Sequence, residues 1–169
     1  NLAITRSRGL AQALEAHLSA LPLAQDPGAK AIGVKISGCP NSCGQHHIAD
    51  IGFYGSSRKV GEREVPHYVL LLGGRTREGE ARFGQVVGRI PARRVPEAVE
   101  RILKRYLEER QNGESFQAYL DRVGAASFKP LLQDLQEVPP YEEAPEFYQD
   151  LGAEGEAFSV QLGRGECAV

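Results

Sequence analysis

Two cysteines in a tight turn constrain this chain more than any other feature of its sequence. Cys39 and Cys43 lie four residues apart, directly after a strand-like stretch at 31–36. Residues that restrict the backbone surround them, namely Gly38, Pro40 and Gly44. Backbone N–H groups in such a turn can point at sulfur and offset the negative charge of thiolates around a metal. The turn therefore indicates metal-binding or redox chemistry at the end of a strand.

The spacing alone leaves three interpretations of this turn open. The first is a pair of structural cysteines, since free cysteine often packs as a small apolar residue. The second is a zinc site that uses Cys39, Cys43 and either His46 or His47, although the chain lacks a further Cys or His pair. The third is half of an iron–sulfur site whose other two cysteines lie elsewhere.

The periodicity of apolar residues predicts an α/β or α+β domain in which helices flank a mixed sheet. Helices are predicted over 8–21, 95–110, 116–123 and 128–135. Strands are predicted over 31–36, 48–54, 67–72 and 86–90. The polar stretch 55–66 is predicted to be an exposed hairpin loop.

The composition changes at Glu137, where prolines and glutamates become frequent. We therefore predict a domain over residues 1–136 and an extended, acidic C-terminal tail over residues 137–169. The tail carries the third cysteine, Cys167, near its end.

Charge and composition exclude several classes of partner. The chain has 169 residues, with 20 Lys and Arg against 22 Asp and Glu, so its net charge is −2. A bulk electrostatic partner such as nucleic acid or an anionic membrane is therefore not expected. No apolar run is long enough to span a bilayer and no signal-peptide pattern opens the sequence, so we expect a cytoplasmic location.

The residues around the turn resemble a known family. The segment Gly38-Cys-Pro-Asn-Ser-Cys-Gly44, followed by Ala49-Asp-Ile-Gly-Phe-Tyr-Gly55, is similar to the second cysteine pair of the sirohaem-containing nitrite and sulfite reductases. In that family a C-x5-C pair and a C-x3-C pair together hold one [4Fe-4S] cluster. The resemblance implies that Cys39 and Cys43 are cluster ligands, that Cys43 also bridges to the sirohaem iron, and that Asn41 lies against the sirohaem.

The resemblance covers roughly residues 1–124 and implies an assimilatory, ferredoxin-dependent oxidoreductase. Such enzymes reduce nitrite to ammonia or sulfite to sulfide with six electrons. Residues near Gln45 look nitrite-like, but the choice between the two substrates stays open. The stretch Asn1-Leu-Ala-Ile-Thr-Arg-Ser-Arg-Gly-Leu10 is similar to the residues that follow the upstream pair in bacterial members, so we expect the chain to follow directly after that pair. The chain would then hold two of the four cluster ligands. An N-terminal half of the same enzyme would then supply the other ligands, and this segment alone would be inactive.

Other residues have functional and structural interpretations side by side. His46 and His47 are candidates to deliver protons, but solvent-facing or hydrogen-bonded structural histidines are the simpler interpretation. Candidates to pair with sirohaem carboxylates, rather than with solvent, are Arg6, Arg8, Arg75 and Arg77. Candidates to dock an acidic ferredoxin, rather than to form a solvated face, are Arg89, Arg93, Arg94, Arg101, Lys104 and Arg105.

A second function, from a different class, also fits the sequence. The half-domain would then serve as a non-enzymatic binding module or as a relay of electrons or sulfur. Cys167 would be its reactive thiol.

Overall fold

A four-stranded mixed sheet with helices packed on one face forms the centre of the computed structural model, which describes residues 3–77 and 79–160. The helices are α1 (Ser7–Ser19), α2 (Pro27–Lys30), α3 (Val95–Glu109) and α4 (Phe116–Val123). The strands are β1 (Val34–Ser37), β2 (Ile51–Val60), β3 (Arg63–Leu72), β4 (Arg75–Arg77), β5 (Glu80–Arg82) and β6 (Gln85–Pro91). The main sheet has the order β1-β2-β3-β6, and β4 and β5 form a separate hairpin.

Strand β2 lies between β1 and β3 in the main sheet. It pairs in parallel with β1 and antiparallel with β3, and β3 pairs antiparallel with β6. The sheet is therefore mixed, as the sequence predicts. The parallel pairing matters for function because it requires a crossover, and residues 38–50 of that crossover include both cysteines.

The predicted exposed loop at 55–66 is wrong. Strands β2 and β3 instead form one long hairpin that turns at Gly61 and Glu62, with Val60 paired to Arg63. Gly61 has a φ of 60°, a conformation that glycine adopts without steric cost. The charged residues of the stretch lie at the exposed tip of the hairpin, where backbone pairing rather than burial holds the strands.

One hydrophobic core joins the sheet to helices α1 and α3. Alternate residues of β2 and β3 point toward these helices because side chains alternate between the faces of a strand. The fully buried members from both layers include Leu10, Phe53, Tyr68, Leu70, Val99 and Ile102. A hydrogen bond between His17 Nε2 and Glu100 Oε2, 2.6 Å apart, also links α1 to α3.

The predicted helices over 8–21, 95–110 and 116–123 are confirmed with small shifts at their ends. The predicted helix over 128–135 is wrong. Three short 3₁₀ turns, Ala125–Phe128, Pro130–Leu132 and Asp134–Gln136, occupy this region. Pro130 lacks an N–H donor and so interrupts the backbone ladder that a continuous helix needs.

Residues 137–160 pack back onto the sheet and onto the start of α1. Tyr148 and Leu151 are buried, and the side chain of Asp150 accepts a hydrogen bond from the Arg6 N–H at 2.6 Å. Burial raises the pKa of the Asp150 carboxyl. The division of the chain at residue 137 stays a prediction, and Cys167 lies outside the described residues.

Replacing Gly9 tests the contact between this C-terminal segment and α1. A Cβ at Gly9 would lie 1.9 Å from the Leu151 carbonyl oxygen, so the backbone of α1 or of the C-terminal segment would have to move. An alanine in a helix would otherwise stabilise it by up to about 1 kcal/mol. We expect Gly9→Ala to lower the free energy of unfolding by about 1–3 kcal/mol, as overpacked sites do.

Urea unfolding measures this free energy. The control is Gly33→Ala, where the added Cβ comes no closer than 3.4 Å to Asp50 Oδ2. Equal stabilities for the two variants would contradict the close packing of Gly9 on Leu151.

Candidate metal centre

The loop that joins β1 to the next turn carries both cysteines of the motif. It begins at Gly38, after β1 ends, and leads to a 3₁₀ turn at His46–Ile48. Cys39 is half-buried and Cys43 is exposed, and both are free thiols. Asn41 is also exposed. The loop therefore presents Cys43 and Asn41 on the surface of the chain.

The start of the cysteine loop is fixed by Thr5, which precedes α1. The Gly38 carbonyl accepts hydrogen bonds from the Thr5 N–H at 2.9 Å and from Thr5 Oγ1 at 3.2 Å. A Cβ at Gly55 would lie 2.2 Å from this carbonyl, so β2 and the loop approach backbone to backbone. The side-chain-free Gly38 and Gly55 of the motif thus let three segments meet at one oxygen.

The end of the cysteine loop is fixed by Ser37, the last residue of β1. The Gly44 N–H, which follows Cys43 directly, donates to Ser37 Oγ at 3.0 Å. A Cβ at Gly44 would lie only 2.3 Å from the Ile36 carbonyl oxygen. Gly44 therefore lies pressed against the end of β1, and a larger residue there would push Cys43 away.

Two residues of the loop have a left-handed backbone without being glycine. Ser42 has a φ of 60° and Gln45 a φ of 58°, and the Gln45 N–H donates to the Ser42 carbonyl at 2.7 Å. Such a conformation costs about 1–2 kcal/mol per residue and persists where the surroundings hold it. The contacts of Gly38 and Gly44 at the two ends provide that hold.

His46 is a buried, hydrogen-bonded histidine, as the structural interpretation predicts. Its ring is completely buried, and its Nδ1 lies 2.8 Å from Ser37 Oγ. The ring centroid lies 4.1 Å from that of His47 and 4.9 Å from that of Tyr54. Burial, together with the neighbouring His47, lowers the pKa of His46 to about 4. His46 is therefore uncharged at neutral pH.

A small aromatic cluster extends from His46 through His47 to Phe83. The His47 ring lies 5.3 Å from that of Phe83, and Phe83 is 70% exposed. Val86, in β6, is 53% exposed. Phe83 and Val86 are therefore exposed apolar side chains, and Phe83 lies against His47, which follows the cysteine loop.

Asp50 and Gln117 form a polar network that the sequence analysis missed. The Asp50 carboxylate accepts from the Gly33 N–H at 2.7 Å and from the side-chain amide of Gln117. The same amide donates to the Gly74 carbonyl at 3.0 Å. The aspartate of the motif thus ties the end of the crossover to α4. In the sequence, the position of Asp50 directly before a buried strand was the signal that could have revealed this network.

Most of the arginines singled out from the sequence bind protein groups. Arg6 pairs with Glu156 at 3.0 Å, and Arg75 pairs with Asp121 at 2.8 Å. Arg8 and Arg77 are exposed. In the basic stretch, Arg101 pairs with Glu97 and Asp134, and several of its neighbours also contact protein carbonyls or aromatic rings, namely Arg93, Arg94 and Arg105.

The donor set of the loop fits part of an iron–sulfur site. Two thiols on a loop rich in backbone N–H groups suit a cluster whose other two ligands come from elsewhere. Across residues 3–77 and 79–160, no three side chains of His, Cys, Asp or Glu are grouped as a metal site. His46 and His47 are therefore not brought together with the cysteines as a ligand set.

Residues 3–138 match the family described as the nitrite and sulphite reductase 4Fe-4S domain. The chain belongs to this family. The match includes the whole cysteine loop and all of the main sheet, and it extends beyond the residues that carry the resemblance in the sequence. The family is one of oxidoreductases that contain iron–sulfur clusters and sirohaem, and the mixed α+β fold agrees with it.

Named relatives are sulfite reductases of two kinds. "Sulfite reductase [ferredoxin] 1" of Mycolicibacterium paratuberculosis is 33% identical over 95 residues, which is 54% of this chain and 17% of that protein. The "Sulfite reductase [NADPH] hemoprotein beta-component" of Chromohalobacter salexigens is 32% identical over 111 residues, which is 66% of this chain and 17% of that protein. The chain thus matches only about a sixth of the length of these relatives.

A solved structure shares the fold. The structure of the Mycobacterium tuberculosis NirA protein superposes with a TM-score of 0.57 at 29% identity, and the match covers 69% of this chain and 21% of that one. Within the described residues, none of the helices combines the length and the apolar character needed to cross a membrane.

The low pKa of His46 predicts how stability depends on pH. Unfolded His46 takes up a proton near pH 6.5, whereas the folded chain takes it up only near pH 4. The folded state therefore binds fewer protons in this window, and stability falls as the pH is lowered through it. The expected loss from this residue is on the order of 2–3 kcal/mol.

Urea unfolding between pH 7 and 4 measures this loss. The variant His46→Gln should show a flatter pH dependence, because its side chain does not titrate. A wild-type curve with the same slope as that of His46→Gln would contradict the burial of an uncharged His46.

Proposed function

We propose that this chain forms the C-terminal part of a reductase that uses a [4Fe-4S] cluster and sirohaem to reduce nitrite or sulfite by six electrons. The observation that carries the proposal is the cysteine loop. It places two free thiols at the end of β1, one of them exposed, within a chain of this reductase family.

The residues that would hold the cofactors are those of the loop. Cys39 and Cys43 would supply two thiolate ligands of the cluster, and Cys43 would also contact the sirohaem iron. Asn41, exposed between them, would lie against the sirohaem. The cluster and sirohaem, when bound, pass electrons one at a time to the bound oxyanion.

The protein's own contribution is to hold the thiols in place. The Gly38 carbonyl and the Gly44 N–H are both bonded, so the loop is held at its two ends. A fixed ligand geometry lowers the rearrangement that must accompany each electron transfer, and backbone N–H groups offset the charge of the thiolates. Mutual positioning of two cofactors needs such a rigid support.

The remaining ligands and the substrate-binding residues would come from an N-terminal part of the same enzyme. That part would also cover the exposed apolar residues Phe83 and Val86. Its absence from this chain would leave the segment inactive alone. We place the chemistry in the cytoplasm, where thiols stay reduced.

The electron donor would be a ferredoxin or a similar small protein, and the named relatives include ferredoxin- and NADPH-dependent enzymes. The basic stretch around α3 gives little support for docking, because Arg101 is engaged by Glu97 and Asp134. The non-enzymatic relay depends on Cys167, and none of the described residues favours it.

Replacing Cys43 in the complete enzyme tests the proposal. Purified wild-type enzyme should contain about five iron atoms per chain, four in the [4Fe-4S] cluster and one in the sirohaem. Cys43→Ser should lose the coupling between cluster and sirohaem, and with it at least about 99% of the activity, because a hydroxyl does not replace a bridging thiolate. Iron analysis, absorption spectra and nitrite- or sulfite-dependent oxidation of the donor measure these effects.

The matched control is Cys167→Ser, which removes a thiol outside the loop. It should keep the iron, the spectrum and the activity. Zinc in place of iron in the wild-type protein, or full six-electron reduction by Cys43→Ser, would refute the proposal.

A further inference from the structure

One buried hydroxyl contacts both the end of the cysteine loop and the histidine that follows it. Ser37 is the last residue of β1 and is only 4% exposed. Its Oγ accepts the hydrogen bond of the Gly44 N–H at 3.0 Å, and the same oxygen lies 2.8 Å from His46 Nδ1. A single side chain thus closes a loop of seven residues and also reaches the buried histidine that follows it.

The single hydrogen of the Ser37 hydroxyl limits which group donates in each of these two contacts. Ser37 has one O–H hydrogen and two lone pairs, and the Gly44 N–H uses one lone pair. If the hydroxyl donates to His46 Nδ1, the ring carries its proton on Nε2, and only that atom lacks a partner within the described chain. If Nδ1 donates instead, both the hydroxyl hydrogen and a bare Nε2 lack partners. Because unpaired buried polar groups are costly, the first arrangement is favoured.

We propose that Ser37 is a positioning residue that holds Cys43 in place through Gly44 and keeps the proton of His46 on Nε2. This inference rests on the proposed function, since Cys43 is the thiol expected to bridge the two cofactors. It goes beyond that function by assigning the position of Cys43 to a residue outside the cysteine motif.

Two other hydrogen bonds near this end of the loop, from Lys35 Nζ to Gln45 Oε1 at 2.8 Å and from the Gln45 N–H to the Ser42 carbonyl at 2.7 Å, involve Gln45 and not Gly44, the residue next to Cys43. Thr5 holds only Gly38, at the other end. Between the two anchors, Ser42 has an unfavourable left-handed backbone, which relaxes when the loop is released. Loss of the Ser37 hydroxyl would therefore free the Cys43 end while leaving the Cys39 end bonded.

The chain offers a matched control for this hydroxyl. Ser56 is also buried, at 9% exposure, and lies in the neighbouring strand β2, but its Oγ has no hydrogen-bond partner in the described structure. Ser56→Ala removes the same atom from the same sheet without touching the loop. It separates the general effect of deleting a buried hydroxyl from the specific effect of Ser37.

Hydrogen exchange read by mass spectrometry on the full chain tests the first half of the proposal. Ser37→Ala should speed exchange of the Gly44 amide by about tenfold or more, because the amide loses the hydrogen bond that it donates to Ser37 Oγ. Ser37→Thr, which keeps a hydroxyl, should restore slow exchange, and Ser56→Ala should not change it. Faster exchange spread equally over the chain in Ser37→Ala would mean general destabilisation and would overturn the positioning role.

Nitrogen-15 NMR of the histidine rings tests the second half. Wild-type His46 should show a protonated Nε2 and an unprotonated Nδ1, and Ser37→Ala should shift the ring toward a mixture of the two tautomers. Wild-type His46 with its proton on Nδ1 would overturn this half.

In the complete enzyme, Ser37→Ala should also change the electron paramagnetic resonance signal of the reduced cluster, whereas Ser37→Thr and Ser56→Ala should keep it. An unchanged signal in Ser37→Ala, with slow exchange at Gly44, would refute the inference. Absence of iron from the wild-type enzyme would instead refute the proposed function, and the exchange and tautomer measurements would still decide the role of Ser37.

Discussion

The carbonyl oxygen of Gly38 is the point on which the geometry of the site depends. It accepts two hydrogen bonds from Thr5, and β2 passes so close to it that only glycine fits at position 55. The segment before α1, the cysteine loop and the centre of the sheet therefore meet at one atom. Because a buried backbone acceptor is costly to leave unpaired, the three segments are fixed relative to one another. The position of Cys39 follows from this junction.

The two cysteines differ in how they are held and in what they face. Cys39 is half-buried beside the junction, whereas Cys43 is exposed and depends on the contact between Gly44 and Ser37. Between them lies backbone that is strained at Ser42. A loop of this kind combines rigidity with exposure, which a thiol needs in order to serve a cofactor that is shared with another part of an enzyme. The exposed aromatic ring of Phe83, which lies against His47 just after the loop, agrees with such sharing.

Prediction from the sequence succeeded where the signal was local. Helix α3 has apolar residues at helical spacing, so both its extent and its buried face could be predicted. Over 55–66 the polar residues led to the wrong prediction of a loop. These residues instead belong to β2 and β3, which extend beyond the core. The contact between Ser37 and His46 could not be predicted, because it spans nine residues and depends on how the crossover folds back on β1. The arginines of the basic stretch were equally ambiguous until their carboxylate partners, such as Asp134, were placed.

The sequence by itself determined the chemistry that is available: two thiols four residues apart, the glycines and proline around them, and the family to which the residues point. Only the tertiary structure decided which thiol is exposed and which groups hold the loop. It also placed His46 in a buried site where the ring stays uncharged. The reason is physical: residue types and spacing carry reactivity and short-range backbone preferences, whereas burial and hydrogen-bond partners arise from segments that are distant along the chain and adjacent in the fold.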